Sequence, residues 1–314
     1  MTQNDLTMRP ITGREEIELF CRLPYVLNEE MAHDLDSGRR RPEWMWMALR
    51  GDRPVARLAW WARRENDPPF MLDTLDLDDA TLEPERVDIG VRLLGTAMAA
   101  ILPVGVRPPE YSRFLPPRWR DEGATRRMVE DRMAVLERSG ARLLVERLRL
   151  EWRPGTPIPE PSRRLSFRPV GDREELVELM TLVLEGTLDA HSHADLARMT
   201  PAQAAVAQYD EELAAYQSPR DWWRIAMSAD GDPVGFVIPA RNSYNPIIAY
   251  LGVLPRHRGN GYAGDLLAEG TRILAEQGVP RIRAATDVGN IPMAEAFHRA
   301  GYVIFQREIN MAWG

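Results

Sequence analysis

The chain has no lysine: all 40 of its basic residues are arginine, set against 47 acids for a formal net charge of −7. Without lysine there is no phosphate loop of the G-x-x-x-x-G-K-[ST] kind, whose lysine sits on the phosphates. The bias toward Arg, Ala and Pro is most simply a codon effect of a GC-rich genome, and no function is built on it. Cys21 is the one cysteine. That excludes an internal disulfide and a cysteine-based metal site, and it fits a reducing cytoplasm. No apolar run reaches about 18 residues, so no membrane-spanning helix is expected. The opening MTQNDLTMRPITGREEIELF lacks a basic and then apolar leader, so no secretory signal is expected. The acidic balance makes nucleic acid a poor partner and a cationic substrate a suitable one. With 314 residues and ordinary proportions of apolar and charged side chains, the chain reads as soluble and globular, with two domains.

The most informative stretch is 247–276, IIAYLGVLPRHRGNGYAGDLLAEGTRILAE. Ile247 to Val253 has the length and residue types of a buried strand, ended by Pro255. Leu266, Leu267, Ile273 and Leu274 recur at helical spacing, so a helix begins near Tyr262. Between them Arg256 to Gly261 form a glycine-bearing turn. Strand, glycine turn and helix N-terminus together make an anion-binding arrangement. The glycines let the backbone approach, and the free N–H groups and helix dipole face the anion.

Gly259, Gly261 and Gly264 also satisfy G-x-G-x-x-G. That dinucleotide fingerprint belongs in the first βαβ unit of a domain, and here too little chain follows for a doubly wound sheet. The pattern [Q/R]-x-x-G-x-[G/A] fits better, through Arg258, Gly261 and Ala263 just after Val253 and Pro255. Downstream come a strand at 281–286, Asn290, then Met293, Ala296, Phe297, Gly301 and Tyr302 in the order N-x-x-A-x-x-(L)-Y-x-x-x-G-F. In these features the chain resembles the GNAT superfamily of acyl-CoA-dependent N-acyltransferases. The resemblance implies an α/β fold with a mixed, mostly antiparallel twisted sheet flanked by helices.

The chain also repeats itself. Met8-Arg9-Pro10-Ile11 followed by Arg14-Glu15-Glu16-Ile17 returns as Phe167-Arg168-Pro169-Val170 followed by Arg173-Glu174-Glu175-Leu176. Trp44 and Pro54-Val55-Ala56 return as Trp223 and Pro233-Val234-Gly235. Ser139-Gly140-Ala141 leading to Trp152 returns as Ala300-Gly301-Tyr302 leading to Trp313. Three matches in one order predict two tandem GNAT-like domains, 1–152 and 165–314, joined by the proline-rich spacer 153–164.

Domain one reads as strand 7–11, helix 14–23, a polar loop, strands 44–50, 54–62 and 70–76, helix 84–101, strand 110–115, helix 121–139 and strand 141–151. Domain two reads as strand 165–170, helix 172–185, an insertion through Tyr216, strands 222–229, 233–240 and 247–253, helix 262–277, strand 281–286, helix 291–300 and strand 302–312. In domain one the turn Asp76 to Pro84 has no glycine and four acids, Asp76, Asp78, Asp79 and Glu83, while Glu83, Glu85 and Asp88 read as N-terminal helix charges and not a site. Such carboxylates repel pyrophosphate, so this copy is expected not to bind coenzyme A. Trp44-Met45-Trp46-Met47 and Trp60-Trp61 alternate across the sheet, so both faces need cover, and domain two is one expected cover.

The resemblance also implies roles for residues. Acetyl-CoA would lie in a gap between the central strand and its neighbour, against Leu251 and Val253. The Val253 amide would stabilise the oxyanion. Arg258, Gly259, Asn260, Gly261, Tyr262 and Ala263 would donate to the pyrophosphate, and Asn290 would lie on the pantetheine or beside the thioester. Phe297 stands where the family has the tyrosine that protonates the departing thiolate, and phenylalanine has no proton to give. His298 is next to it but about 100° round the helix. Two readings stand: the thiolate leaves unassisted or through water, or activity is impaired.

The insertion carries Asp189, His191, His193 and Asp195. Without a second cluster they read as a solvated cap or an acceptor-facing segment, and no metal is expected. His191 or His193 is the expected general base, with Glu185, Asp189 and Tyr250 as alternatives. Trp222 and Trp223 read as core. The expected function is acetyl transfer from acetyl-CoA to a small, cationic amine in a ternary complex. The protein would be a cytoplasmic monomer or homodimer without nucleic-acid or membrane partners. The rival is a non-catalytic acyl-CoA-binding or regulatory protein, and Phe297 is its support.

Overall fold

The computed structural model describes residues 6–160 and 163–314, so positions 161 and 162 of the spacer lie outside the described residues. In chain order the first half gives β1 (Leu6–Pro10), α1 (Ile17–Phe20), α2 (Met31–Asp36), β2 (Met45–Arg50), β3 (Arg53–Trp61), β4 (Met71–Leu77), α3 (Glu85–Ile101), β5 (Glu110–Leu115), α4 (Gly123–Arg138) and β6 (Ala141–Trp152). The second half gives β7 (Ser166–Pro169), α5 (Arg173–Val183), α6 (Ala190–Leu196), α7 (Pro201–Glu211), β8 (Arg224–Met227), β9 (Pro233–Arg241), β10 (Pro246–Val253), α8 (Tyr262–Ala275), β11 (Ile282–Asp287), α9 (Ile291–Arg299) and β12 (Val303–Trp313).

The chain divides into two compact units, but not at the spacer. Unit 1 holds 1–146 and 308–314; unit 2 holds 147–307. The reason is that β6 and β12 are long and each runs from one unit into the other. Unit 1 has strand order β1-β2-β3-β4-β5, continued by the end of β12 and the start of β6. Unit 2 has β7-β8-β9-β10-β11, continued by the end of β6 and the start of β12. Both are mixed sheets: β4–β5 and β10–β11 pair parallel, while β1–β2, β2–β3, β3–β4, β7–β8, β8–β9, β9–β10 and β6–β11 pair antiparallel.

The repeat is one physical device made twice. Arg9 forks onto Glu16 at 2.7 and 2.6 Å, and the Thr12 amide donates to the same carboxylate at 2.7 Å. Arg168 forks onto Glu175, which also takes the Gly171 amide at 2.8 Å. In each unit this pair fixes the turn between the first strand and first helix. It holds Glu16 down to about 2, through the Arg9 hydrogen bonds first, and lowers Glu175 for the same reason.

Both faces of the unit 1 sheet are covered from within unit 1, which corrects the expectation for its tryptophan-methionine strands. Trp44, Trp46 and Trp60 pack with Leu93 of α3 and Val135 of α4. Met45 and Met47 pack on the other face with Phe20, Leu27 and Met31. The expected polar loop is what supplies this cover. It folds into a 3-10 turn at Val26–Glu29 and into α2, burying Leu27 and Met31. The expected helix 14–23 is correspondingly short, a 3-10 turn at Arg14–Glu16 running into α1.

In unit 2, α8 and α9 cover one sheet face around Leu266, Ile282 and Phe297. Helices α5 and α7 cover the other around Met180, Trp223 and Phe236. The insertion supplies α6 and α7, the latter opened by a Thr200–Gln203 capping box. Trp223 is core as expected, whereas strand β8 starts only after the turn Arg220–Trp222.

The division of β6 sets a prediction. Residues 147–152 pair with β11 from Asp287↔Arg147 to Ile282↔Trp152 and bury Leu148, Leu150 and Trp152. A fragment of 160–314 loses this strand, which bares a sheet edge and an apolar core face. It is expected to elute as aggregate in size-exclusion chromatography, with soluble yield rising when 147–159 are restored. A soluble monomeric 160–314 would contradict the pairing.

Candidate active site

β10 and β11 run parallel, yet Ile247↔Arg283 is their one register pair among the described residues. Beyond it β10 continues to Val253 and β11 to Asp287, so their ends diverge. The divergence follows a bulge at Ala249, where the β9–β10 register shifts between Ile248 and Tyr250. Leu251 and Val253 of β10, Tyr262 and Ala263 of α8, and Met293 and Ala294 of α9 are partly buried against the same core.

At the open end of β10 the loop turns through Gly259 and Gly261, at φ 81° and 78°. Gly261 is the N-cap of α8 in the left-handed region, which L side chains rarely adopt. A Cβ at either glycine would meet nothing within 4 Å, so the space in front of the helix is open. The first N–H groups of α8, from Tyr262 and Ala263, have no acceptor within the helix. This end of the molecule therefore fits a phosphate. Asn260 stiffens the loop by donating to the His257 and Arg258 carbonyls at 3.1 and 3.3 Å. Arg164 adds a positive charge, donating to Asn260 O at 2.9 Å and to Asp265 at 2.7 Å.

Arg258 does not serve the anion as expected. Its amide is bonded to Pro255 O at 3.2 Å, and its guanidinium is taken up by four carbonyls. The anion-facing amides therefore begin at Gly259. Asn290 stands at the N-cap of α9, its Oδ1 accepting the Met293 amide at 3.4 Å. Its Nδ2 is then the group it can offer toward the gap. Phe297 is buried, edge-on to Tyr302 at 5.1 Å between ring centres. The Tyr302 hydroxyl is held by Thr271 at 2.7 Å, and burial raises its pKa. His298 is exposed, as its helical offset from Phe297 requires.

The opposite sheet face gathers acids. Asp287 ends β11; its carboxylate takes the Ala190 amide at 2.7 Å and faces Arg147 at 3.1 Å. Asp189, the N-cap of α6, lies 4.0 Å from the same guanidinium. Two carboxylates thus share one cation. Burial first, then the charge of Asp189, raises the pKa of Asp287. Asp189 is lowered: burial opposes its charge, but Arg147 and the Ser192 amide outweigh it. His191 acts electrostatically on both acids, whereas His193 is exposed. Tyr250 is raised by burial and then by Asp189 and Glu212. Asp287, Arg147 and Glu212 gave no local signal in the sequence. Among the described residues no group of three or more His, Cys, Asp or Glu side chains is arranged to hold a metal ion.

Unit 1 has the same divergence with a different filling. Among the described residues β4 and β5 pair at Met71↔Glu110 and Leu72↔Tyr111 and no further, the pairing stopping at an equivalent bulge at Asp73. By this register Asp76 stands where unit 2 has Gly252, and Arg113 where it has Thr286. Asp76 is fully buried and paired with Arg57 at 2.8 Å and Arg113 at 2.9 Å, with Arg132 at 3.6 Å. Arg113 and Arg132 also donate to Leu75 O and Leu77 O, both at 3.1 Å. The backbone edge of β4 is thus satisfied by the unit's own side chains. Burial would raise Asp76, but Arg113, Arg57 and Arg132 hold it below its ordinary value.

The gap, the glycine loop and the mixed sheet define a GNAT-like fold. Residues 186–302 match the family described as acetyltransferase (GNAT), so this segment is similar to that family. Among solved structures, a GCN5-related N-acetyltransferase from Sphaerobacter thermophilus aligns at TM-score 0.61 with 14% identity, covering 99% of this chain and 96% of that one. A tandem GNAT protein from the clavulanic acid biosynthesis pathway aligns at TM-score 0.53 with 14% identity and 98% coverage of both chains. A GNAT-family acetyltransferase from Colwellia psychrerythraea aligns at 0.50 with 12% identity, covering 98% of this chain and 100% of that one. At such identities the likeness speaks for the fold. No curated protein matches the chain by sequence.

Proposed function

We propose that the protein transfers an acetyl group from acetyl-CoA to the amine of a small, cationic molecule, using unit 2. The carrying observation is the β10–β11 divergence that opens onto the left-handed glycine loop at the start of α8. The amides from Gly259 to Ala263 receive the pyrophosphate, and Leu251 and Val253 flank the pantetheine arm. The Val253 amide faces the thioester carbonyl and stabilises its developing charge. The acceptor enters from the face of Asp189, Tyr250 and Asp287, whose surplus of carboxylate over guanidinium suits an ammonium group. His191, beside those acids, takes the proton that leaves the amine before attack. The amine nitrogen then bonds to the acyl carbon and the carbon–sulfur bond breaks. A thiol with pKa near 8.5 leaves as thiolate without a protein acid, which accommodates Phe297.

Calorimetry with acetyl-CoA is expected to give one site per chain, because unit 1 fills its own gap. Thiol release with a panel of polyamines, amino sugars and amino-acid amides is expected to show turnover that His191→Gln lowers at least about tenfold. Phe297, buried and without a hydroxyl, favours a second reading, that of an acyl-CoA-binding protein without turnover. One tight site with no thiol release from any amine would select it.

A further inference from the structure

The residues between α5 and α6 are tied at both ends to the elements that bound the acyl-donor gap. On the β10 side, the Arg258 guanidinium donates to the carbonyls of Val183, Glu185 and Gly186 at 2.7, 2.6 and 3.1 Å. Its Nε donates to Val253 O at 3.1 Å. On the β11 side, the Ala190 amide donates to Asp287 at 2.7 Å. Because β10 and β11 are parallel, Val253 and Asp287 end at the same edge of the sheet, and their single register pair lies far from that edge. A chain from 186 to 190 can span about 13 Å when extended. That is ample to cross two diverging strands.

We propose that residues 184–190 form a strap across the thioester end of the gap, with Arg258 and Asp287 as the positioning residues that hold it. The inference rests on the acyltransferase reading of that gap. It gives Arg258 a role other than binding phosphate: it joins the coenzyme loop to the segment that carries Asp189 and leads into His191. Loop movement on coenzyme binding is then passed to the acceptor side. Only a planar guanidinium reaches this many carbonyls at once; an ammonium presents a single point of charge. Gly186 fits the same design. It sits at φ 59°, and a Cβ there would stand 3.3 Å from the Arg258 Nη1.

Hydrogen exchange of the full chain, with free coenzyme A as the probe, tests the strap. In the unaltered protein, coenzyme A is expected to slow exchange across 184–190 at least threefold. Arg258→Lys is expected to speed exchange at 184–187 at least tenfold and to abolish the response to coenzyme A, with less than a threefold change in coenzyme A affinity. Asp287→Ala is expected to do the same at 188–190, and Asp287→Asn to restore most of the protection, since its amide oxygen can take the place of the Oδ2 that accepts the Ala190 amide. Unchanged exchange in Arg258→Lys, or a coenzyme response equal to that of the unaltered protein, overturns the strap. If coenzyme A does not bind the unaltered protein, the acyl-CoA reading falls. The exchange comparison without ligand still decides whether Arg258 and Asp287 hold the segment.

Discussion

Gly261→Asp is expected to weaken acetyl-CoA binding by at least about tenfold, or ~1.4 kcal/mol, while the protein stays folded. Two effects act together. A carboxylate in front of α8 would occupy the N–H groups that otherwise meet the pyrophosphate, and would repel it. A unit charge pair about 5 Å apart is worth about 3 kcal/mol at an effective dielectric of 20, and less where water screens it. Folding survives because a Cβ at 261 meets no atom within 4 Å, and Asp is among the residues that tolerate the left-handed region. An acid also suits the positive end of a helix. Gly261→Asn separates the causes, since it keeps the strain and drops the charge; its affinity should fall less. Calorimetry reads both. Equal affinity in Gly261→Asp and the unaltered protein would place the pyrophosphate elsewhere.

Asp76→Ala is expected to destabilise the protein by about 3–5 kcal/mol, the usual cost of leaving buried charges without their partner. Arg57, Arg113 and Arg132 are nearly inaccessible to solvent, and Asp76 is the one carboxylate they all approach. For a unit of this size that loss lowers the melting temperature by roughly 10 °C, at about 2–4 °C per kcal/mol. The pH dependence has a definite sign. The Asp76 carboxyl is held below its ordinary value, so its contribution is fully present above an unfolded pKa of about 3.9 and is lost as pH falls through the folded one. Scanning calorimetry at neutral pH checks the first statement, and melting as a function of acid checks the second. A melting temperature within a degree or two of the unaltered protein would show that the three guanidinia are not buried together.

The coenzyme loop was legible in the sequence because its physics is local. Strand, two glycines and helix start lie within about four turns' length of chain, and left-handed φ at Gly259 and Gly261 is a property of those residues alone. The internal repeat was legible for a similar reason: Arg9 and Glu16, like Arg168 and Glu175, are close enough in sequence to recur as a spacing. What stayed hidden depends on distant partners. Arg258 reads as a phosphate ligand until the end of α5 is placed beside it. Asp287 and Arg147 carry no motif, and only the fold brings them to Asp189. Asp76 reads as a turn carboxylate that repels pyrophosphate, and Arg57, Arg113 and Arg132 carry no signal in the sequence. Their burial is decided only when β4 and β5 diverge and leave a gap that must be filled. The course of β6 and β12 from one unit into the other escaped for the same reason. A sequence pattern tells which face of a strand is apolar, but the sheet a strand joins is set by backbone hydrogen bonds, which any side chain permits.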